Sequence, residues 1–240
     1  MKVAIVGCGK LGSALARALV KKHEVLAIRR DVSKIDVECE KSSKIEDAKG
    51  CDVVILTLKP DVFRSLSEIW FDSVVVSFMA GVNLEELERC GERVARAMTS
   101  LSAEFGSSFV TYCCRNLSDK DREKLLDVLS CFGRVMEVDE RVVEASTAFS
   151  SSVAFIARLI GAASLAGVRL GIDSNTSRTL ALLAFSDAVK LVERDGVEKV
   201  VERVCTPAGS TIEGMAKMME CRAEWCLQEA IHAAGRKFMR

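Results

Sequence analysis

The sequence predicts an α/β chain: an N-terminal doubly wound parallel sheet followed by an all-helical C-terminal half. Three observations predict it. Residues 3–12 read Val-Ala-Ile-Val-Gly-Cys-Gly-Lys-Leu-Gly, an apolar run ending in Gly7-x-Gly9-x-x-Gly12 with an amphipathic stretch behind it. Short β-branched runs then alternate with helix-period segments as far as Asp139, the rhythm of strands joined by crossover helices. From Arg141 onward the alternation stops, and Ala, Leu, Arg and Glu with apolar residues three and four apart predict one helix after another.

Residues 2–6 suit a buried parallel strand, and Leu11, Ala14, Leu15, Ala18 and Leu19 recur at helical spacing, so the three glycines fall at a strand-to-helix turn. In a Rossmann domain Gly7 permits the tight turn, Gly9 lets backbone approach a pyrophosphate, and Gly12 lets the helix pack closely on the strand. The helix N-terminus then offers unpaired N–H groups and the positive end of its dipole to the phosphates. Gly7, Cys8, Gly9, Lys10, Leu11 and Gly12 are therefore candidate cofactor residues. Further strands are expected over 24–28, 52–58, 73–78 and 93–97, with helices over 60–69 and 83–89. Val110 and residues 134–138 add strands around a helix over 119–131. This places a nucleotide-binding domain at 1–140 and a helical domain at 141–240, with a helix running from one into the other because no Pro or Gly linker separates them.

Composition narrows the partner. The 34 basic and 34 acidic residues cancel and form no like-charge block, so a small-molecule ligand is expected and a nucleic acid is not. Ten cysteines accompany no predicted signal peptide, and 49% hydrophobic residues supply a core without staples. They are expected as reduced thiols in a cytoplasmic protein, and their spacing with His fits no zinc pattern, so no metal is expected. Residues 153–172 have the length of a membrane span but carry Arg158 and Arg169 and several glycines. A helix buried between two subunits is expected there instead, with a compact monomeric bundle as the other reading. Arg96 and Arg158 are expected as surface or interface charges.

Rossmann domains that prefer NAD usually end the second strand with an acidic residue that bonds the ribose 2′-hydroxyl. Here that position holds Arg29 and Arg30, whose planar donor forks suit a 2′-phosphate. NADP(H) is expected over NAD(H), and Asp31 keeps NAD(H) as a possible cofactor.

Both prolines of the chain, Pro60 and Pro207, sit in stretches that resemble one family, pyrroline-5-carboxylate reductase. Leu58-Lys59-Pro60-Asp61 resembles that family's Val-Lys-Pro-Gln loop, and Met79-Ala80-Gly81-Val82 its Ala-Gly-Ile/Val turn. Ala166-Gly167-Val168-Arg169-Leu170-Gly171 is similar to its Ala-Gly-Val-x-x-Gly segment, and residues 205–211, Cys-Thr-Pro-Ala-Gly-Ser-Thr, to its Ser-Pro-Gly-Gly-x-Thr signature. The motifs span nearly the full length in the family's order. Two stretches depart: Met98-Thr99-Ser100 replaces Met-Pro-Asn, and Thr-Ala-Phe-Ser-Ser-Ser-Val-Ala-Phe at 147–155 replaces Thr-Ala-Leu-Ser-Gly-Ser-Gly-Pro-Ala.

The resemblance implies reduction of the cyclic imine 1-pyrroline-5-carboxylate to proline by NADP(H), in a homodimer that can assemble further. It implies Leu58, Lys59, Pro60, Ala80 and Gly81 at the cofactor, and Thr211 as the hydroxyl that bonds the ring nitrogen. Thr206, Gly209 and Ser210 would surround the substrate carboxylate, with Ser150 and Ser152 in the hydroxyl-rich run at 146–152. The poverty of acids fits such a substrate. Ketone reduction wants a positioned His, Lys or Tyr, whereas His23, His232 and Tyr112 are the only such rings and residues 153–170 hold no lysine. A protonated imine accepts hydride with only a weak donor nearby. Ser210-Thr211-Ile212-Glu213 also matches a capping box, a structural role for the same segment. Reduction of another imine or of a deazaflavin, and nucleotide binding without catalysis, remain alternatives.

Overall fold

A computed structural model describes residues 1–237. Its contacts divide the chain into two units, Met1–Ser150 with the end of the last helix from Ala234, and Ser151–Ala233.

The first unit runs β1 (Lys2–Val6), α1 (Lys10–Leu19), β2 (Glu24–Ile28), β3 (Glu40–Ser42), β4 (Val53–Leu56), α2 (Pro60–Arg64), β5 (Val74–Ser77), α3 (Leu84–Leu87), β6 (Val94–Thr99), β7 (Ser108–Arg115), α4 (Asp119–Ser130), β8 (Gly133–Glu137) and α5 (Glu140–Ala145). Its sheet has the order β3-β2-β1-β4-β5-β6-β7-β8. The crossover from β3 back to β4, on the far side of β1, makes the switch point at which such sheets bind ligands. Strands buried on both faces read as continuous apolar runs, and Val-Val-Ile-Leu at β4 and Val-Val-Val-Ser at β5 are buried throughout. On one face Ile5, Ile55 and Val76 pack with Leu15, Leu19, Leu129 and Phe132. On the other, Ala4, Val54 and Val75 pack with Phe63, Phe71 and Leu87. Ser118 and Asp121 form a reciprocal capping box at the start of α4.

Several expectations are corrected. β3 has no counterpart in the sequence reading, because Glu-Lys-Ser is a short polar edge strand without apolar alternation, of the kind that keeps sheet edges from pairing. β6 and β7 pair antiparallel in an otherwise parallel sheet, since residues 100–107 are too few for a crossover. α2 stops at Arg64 rather than 69: Ser65 Oγ turns back to bond the Val62 carbonyl at 2.9 Å, a local competitor of helix continuation. α3 tightens into a 3₁₀ turn at Glu88–Cys90. Arg96, expected as a surface or interface charge, is only 3% exposed within the chain and pairs with Glu140 at 3.1 Å and with Glu144.

The second unit holds α6 (Thr147–Arg169), whose first turn belongs to the first unit, α7 (Ser174–Asp195), α8 (Val197–Val204), α9 (Ser210–Glu220) and α10 (Ala223–Arg236). Ser146 marks the break between α5 and α6, and residues 147–152 form the first turns of α6. Asp173 caps α7 by accepting from the Asn175 and Thr176 amides, and a Cβ on Gly167 would lie 2.1 Å from Ser177 Oγ, so α6 and α7 approach closely there. Beyond that seam the helices leave apolar side chains open: Leu165 is 62%, Leu170 81% and Trp225 58% exposed. The stretch Glu140–Arg169 is long and apolar enough to cross a membrane, and its most apolar 18-residue window is almost wholly unburied.

Candidate nucleotide and substrate sites

Three glycines shape the turn from β1 to α1, each for its own reason. Gly7 has a φ of +99°, and a Cβ there would meet Thr57 backbone and Leu58 Cδ2 at 2.9 Å, so no other residue fits. A Cβ on Gly12 would sit 2.8 Å from Gly7 O and Thr57 Oγ1, which is the close approach of helix to strand. Gly9 has only Gly7 O, 3.8 Å away, within reach of such a Cβ; its outer side is open to a ligand. Gly9 is also the N-cap of α1, with no side-chain cap and no acidic residue in the first turn. The helix end therefore keeps its donors and its positive dipole for an anion.

The turn is fastened from two neighbouring strands. The Gly7 and Cys8 amides donate to Ile28 O at 2.9 and 3.1 Å, and Thr57 Oγ1 donates to Gly7 O at 2.8 Å. Sequence reasoning missed Thr57, which lies just after β4 and carries no motif of its own. Cys8 points inward, and burial pushes its thiol up, so it contributes backbone alone.

A cavity of about 690 Å³ follows the carboxyl ends of β1 to β4. Of the expected cofactor residues, Gly7, Gly9, Arg29, Arg30, Leu58 and Lys59 line it. Cys8, Lys10, Leu11, Gly12, Pro60, Ala80 and Gly81 do not: Lys10 to Gly12 form the first turn of α1, Pro60 opens α2, and Ala80-Gly81 follow β5 at the same edge of the sheet. The lining also contains Lys34, Ser43 and Lys44, which escaped notice because β3, just before Ser43 and Lys44, did.

The two arginines at the end of β2 differ. Arg29 Nη1 donates to the carbonyls of Cys8 and Lys34, both at 3.1 Å, so it ties the glycine turn to the loop after β2. Arg30 is exposed and has no ion-pair partner among the described residues. Asp31 accepts from Ser33 Oγ at 2.6 Å and pairs with Lys34 at 3.1 Å; these partners hold its carboxyl below the ordinary range and occupy it locally. The cradle fits a phosphorylated dinucleotide, with an open glycine flank, an uncapped helix end, and free cationic groups where the second ribose phosphate would lie.

The helical unit holds the other candidates. Between α8 and α9 the Gly209 amide donates to Thr206 O at 3.0 Å, and a Cβ on Gly209 would press within 2.4 Å of Thr206 Oγ1. Gly209 is the N-cap of α9 without a side-chain cap, and Ser210 and Thr211 are its first two residues. The expected capping box therefore does not form, because Ser210 is already helical. Ala208, where the resembled signature has glycine, holds a φ of +60°. The structure thus gathers Thr206, Gly209, Ser210 and Thr211 into one turn. Ser152 is buried in α6, and Ser150, in the first unit, donates to Thr99 O at 2.7 Å. The variant Met98-Thr99-Ser100 stretch is a buried hydroxyl network: Thr99 Oγ1 donates to Phe109 O at 2.7 Å, and Ser108 Oγ lies 2.9 Å from both Thr99 Oγ1 and Ser100 Oγ.

The side chains expected to be remote from the chemistry are engaged elsewhere. His23 is buried beside Cys131 and Asp127, and burial lowers its pKa. Tyr112 donates to Glu137 at 2.9 Å, and burial with that carboxylate pushes it to about 12.

Residues 140–240 match the family described as pyrroline-5-carboxylate reductase dimerisation, and residues 2–81 match that described as NADP oxidoreductase, coenzyme F420-dependent. The pyrroline-5-carboxylate reductase of Corynebacterium melassecola is 30% identical over 97% of this chain and 96% of its own. That of Aquifex aeolicus is 27% identical over 99% and 96%. The solved 1-pyrroline-5-carboxylate reductase of Streptococcus pyogenes shares the fold with a TM-score of 0.91 at 22% identity, covering 100% of this chain and 98% of its own. The NADP-bound pyrroline carboxylate reductase of Plasmodium falciparum does so with 0.88 at 21%, covering 100% and 97%. With a glycine cradle at one end, an exposed helical unit at the other and a full-length relative across both, the chain belongs to the pyrroline-5-carboxylate reductase family.

Proposed function

We propose that the chain reduces the cyclic imine 1-pyrroline-5-carboxylate to proline at the expense of NADPH, as a homodimer in the cytoplasm. The observation that carries this is the cavity at β1 to β4, with its glycine cradle and its cationic rim, in a chain whose relatives along the whole length are named for that reaction. The uncapped end of α1 and the open side of Gly9 receive the pyrophosphate. Arg30, with Lys44 beside the same cavity, receives the 2′-phosphate, while Arg29 holds the turn in shape. When bound, the reduced nicotinamide supplies the hydride that the imine carbon accepts.

In the helical unit the Thr211 hydroxyl oxygen accepts from the N–H of the protonated ring nitrogen, and the amides at the start of α9 receive the substrate carboxylate. No strong acid is required, because the imine is protonated before reduction; orientation supplies most of the acceleration. The open apolar faces of α6 to α10 pack against a second copy rather than lipid, which the match of residues 140–240 to a dimerisation family supports. Assembly of such dimers into larger rings is compatible with their symmetry. Ten thiols and no disulfide suit a reducing compartment.

Purified protein mixed with NADPH and racemic pyrroline-5-carboxylate is expected to consume the nicotinamide absorbance. Thr211→Ala is expected to lower turnover about tenfold or more with the melting temperature little changed. Binding of NADPH with no oxidation by this or related imines would overturn the activity; retained turnover in a destabilised Thr211→Ala would return Thr211 to a purely structural role.

A further inference from the structure

The turn that follows β5, residues 79–82, is held by charged side chains from three directions. Gly81 has a φ of +73°. Its amide donates to both oxygens of Glu144, at 3.1 and 3.3 Å, and its carbonyl accepts from Arg64 Nη2 at 2.7 Å. Three residues on, the Leu84 amide donates to Glu140 Oε1 at 2.7 Å. Both carboxylates, one turn apart on α5, also receive the Arg96 guanidinium from β6: Nη1 reaches Glu140 at 3.1 Å and Nη2 reaches Glu144.

This arrangement is more than a brace for α5. A buried guanidinium demands opposite charge, and these two carboxylates are the ones that Arg96 meets in direct ion pairs, while its Nε has no hydrogen-bond partner among the described residues. Glu144 cannot swing away without exposing that buried cation, so the atom bonded to the Gly81 amide is fixed in place by the sheet itself. The turn lies where it matters for the reaction. The pocket at β2 and β3 takes the ribose-phosphate half of a dinucleotide, and the other half must then extend along the carboxyl edge across β4 toward β5, where Gly81 sits.

We propose that Glu144 and Arg96 are positioning residues for the reduction: through the Gly81 amide they set the Ala80-Gly81 turn against the nicotinamide end of the cofactor. Arg64 holds the next peptide of the turn, at the Gly81 carbonyl, from the solvent side. The proposal rests on the reductase reading, so its test includes a measurement that does not need turnover. In Glu144→Gln one of the two donors facing the side chain, the Gly81 amide or Arg96, meets an NH₂ group, while size and packing are kept. We expect kcat to fall about tenfold with the KM for NADPH held within about threefold, because displacement affects the reacting end and not the phosphate end. The fluorescence of bound NADPH is expected to shift in emission or intensity, with its affinity unchanged within the same margin. A role confined to holding α5 would lower the melting temperature and leave the emission and kcat as in the parent.

Arg64→Met, at an exposed position, is expected to give the same pattern more weakly, and it decides the matter if Glu144→Gln does not fold. Folded variants with parental kcat and parental bound-NADPH emission overturn the proposal. If the parent protein binds NADPH but reduces no imine, the reductase reading fails on its own, and the emission of bound NADPH in the two variants still judges the clamp.

Discussion

The two halves of the chain solve the burial problem differently. In the first unit, strands and helices cover one another, and Ile5, Ile55, Leu129 and Phe132 are fully buried within one chain. In the second, Leu165, Leu170 and Trp225 stay largely open, although the sequence there is no less apolar. The difference teaches that the nucleotide half carries its own core, whereas the helical half, which matches a dimerisation family, leaves apolar faces open within one chain.

The sharpest way to break this contrast is to charge the open face. Ile156→Glu with Leu159→Glu, both on α6 and both exposed in the single chain, is expected to abolish the dimer. Each buried aliphatic contributes about 1.5–3 kcal/mol, and an unpaired carboxylate in its place costs still more. Leu126→Glu on α4, a partly exposed apolar position of the first unit, is expected to leave assembly intact. Sedimentation velocity reads both; a dimeric double variant at micromolar concentration would move the interface elsewhere.

A second test separates neighbours inside the nucleotide half. Arg30→Ser is expected to raise the KM for NADPH about tenfold and to spare NADH, since it removes charge-assisted bonds to the 2′-phosphate alone. Arg29→Ser, which frees the Cys8 and Lys34 carbonyls, is expected to weaken both nucleotides alike. Equal responses to Arg30→Ser would leave that side chain as a solvated strand end.

The smallest effect belongs to the helical half. Ala208 occupies the left-handed region with φ at +60°, a conformation that costs a residue with a Cβ about 1 kcal/mol. Ala208→Gly is expected to relieve that strain and raise the melting temperature by a few degrees, offset in part by the looser unfolded chain. An unchanged or lower value in a calorimetric scan would show that the turn does not strain alanine.

Legibility in the sequence followed the same physical line. The glycine turn and strands β1, β2, β4 and β5 could be read because burial on two faces writes itself as uninterrupted Val, Ile and Leu. β3 could not, because its stability comes from pairing with β2 and not from its Glu-Lys-Ser side chains. Antiparallel β7 was foreseen as a strand at Val110, but its direction depends on the length of a connection rather than on any residue. Arg96 was misjudged for a deeper reason. A buried cation looks like a surface one until its counter-charges, more than forty positions later in the chain, are brought beside it. Of the candidate site, the motif glycines were visible, whereas Thr57, bonded to Gly7, and Lys44, in the cavity lining, reach their places only through folding.

The unpaired cysteines have a practical side. Cys8, Cys51, Cys90 and Cys113 are buried, and burial pushes each thiol up, Cys113 to about 11, so at neutral pH almost no reactive thiolate is present at these places. A thiol reagent can modify them only when the surrounding structure opens. The chain thus carries its own set of internal clocks: alkylation of Cys8 times the opening of the glycine turn, and that of Cys90 and Cys113 times the loosening of the sheet around β6.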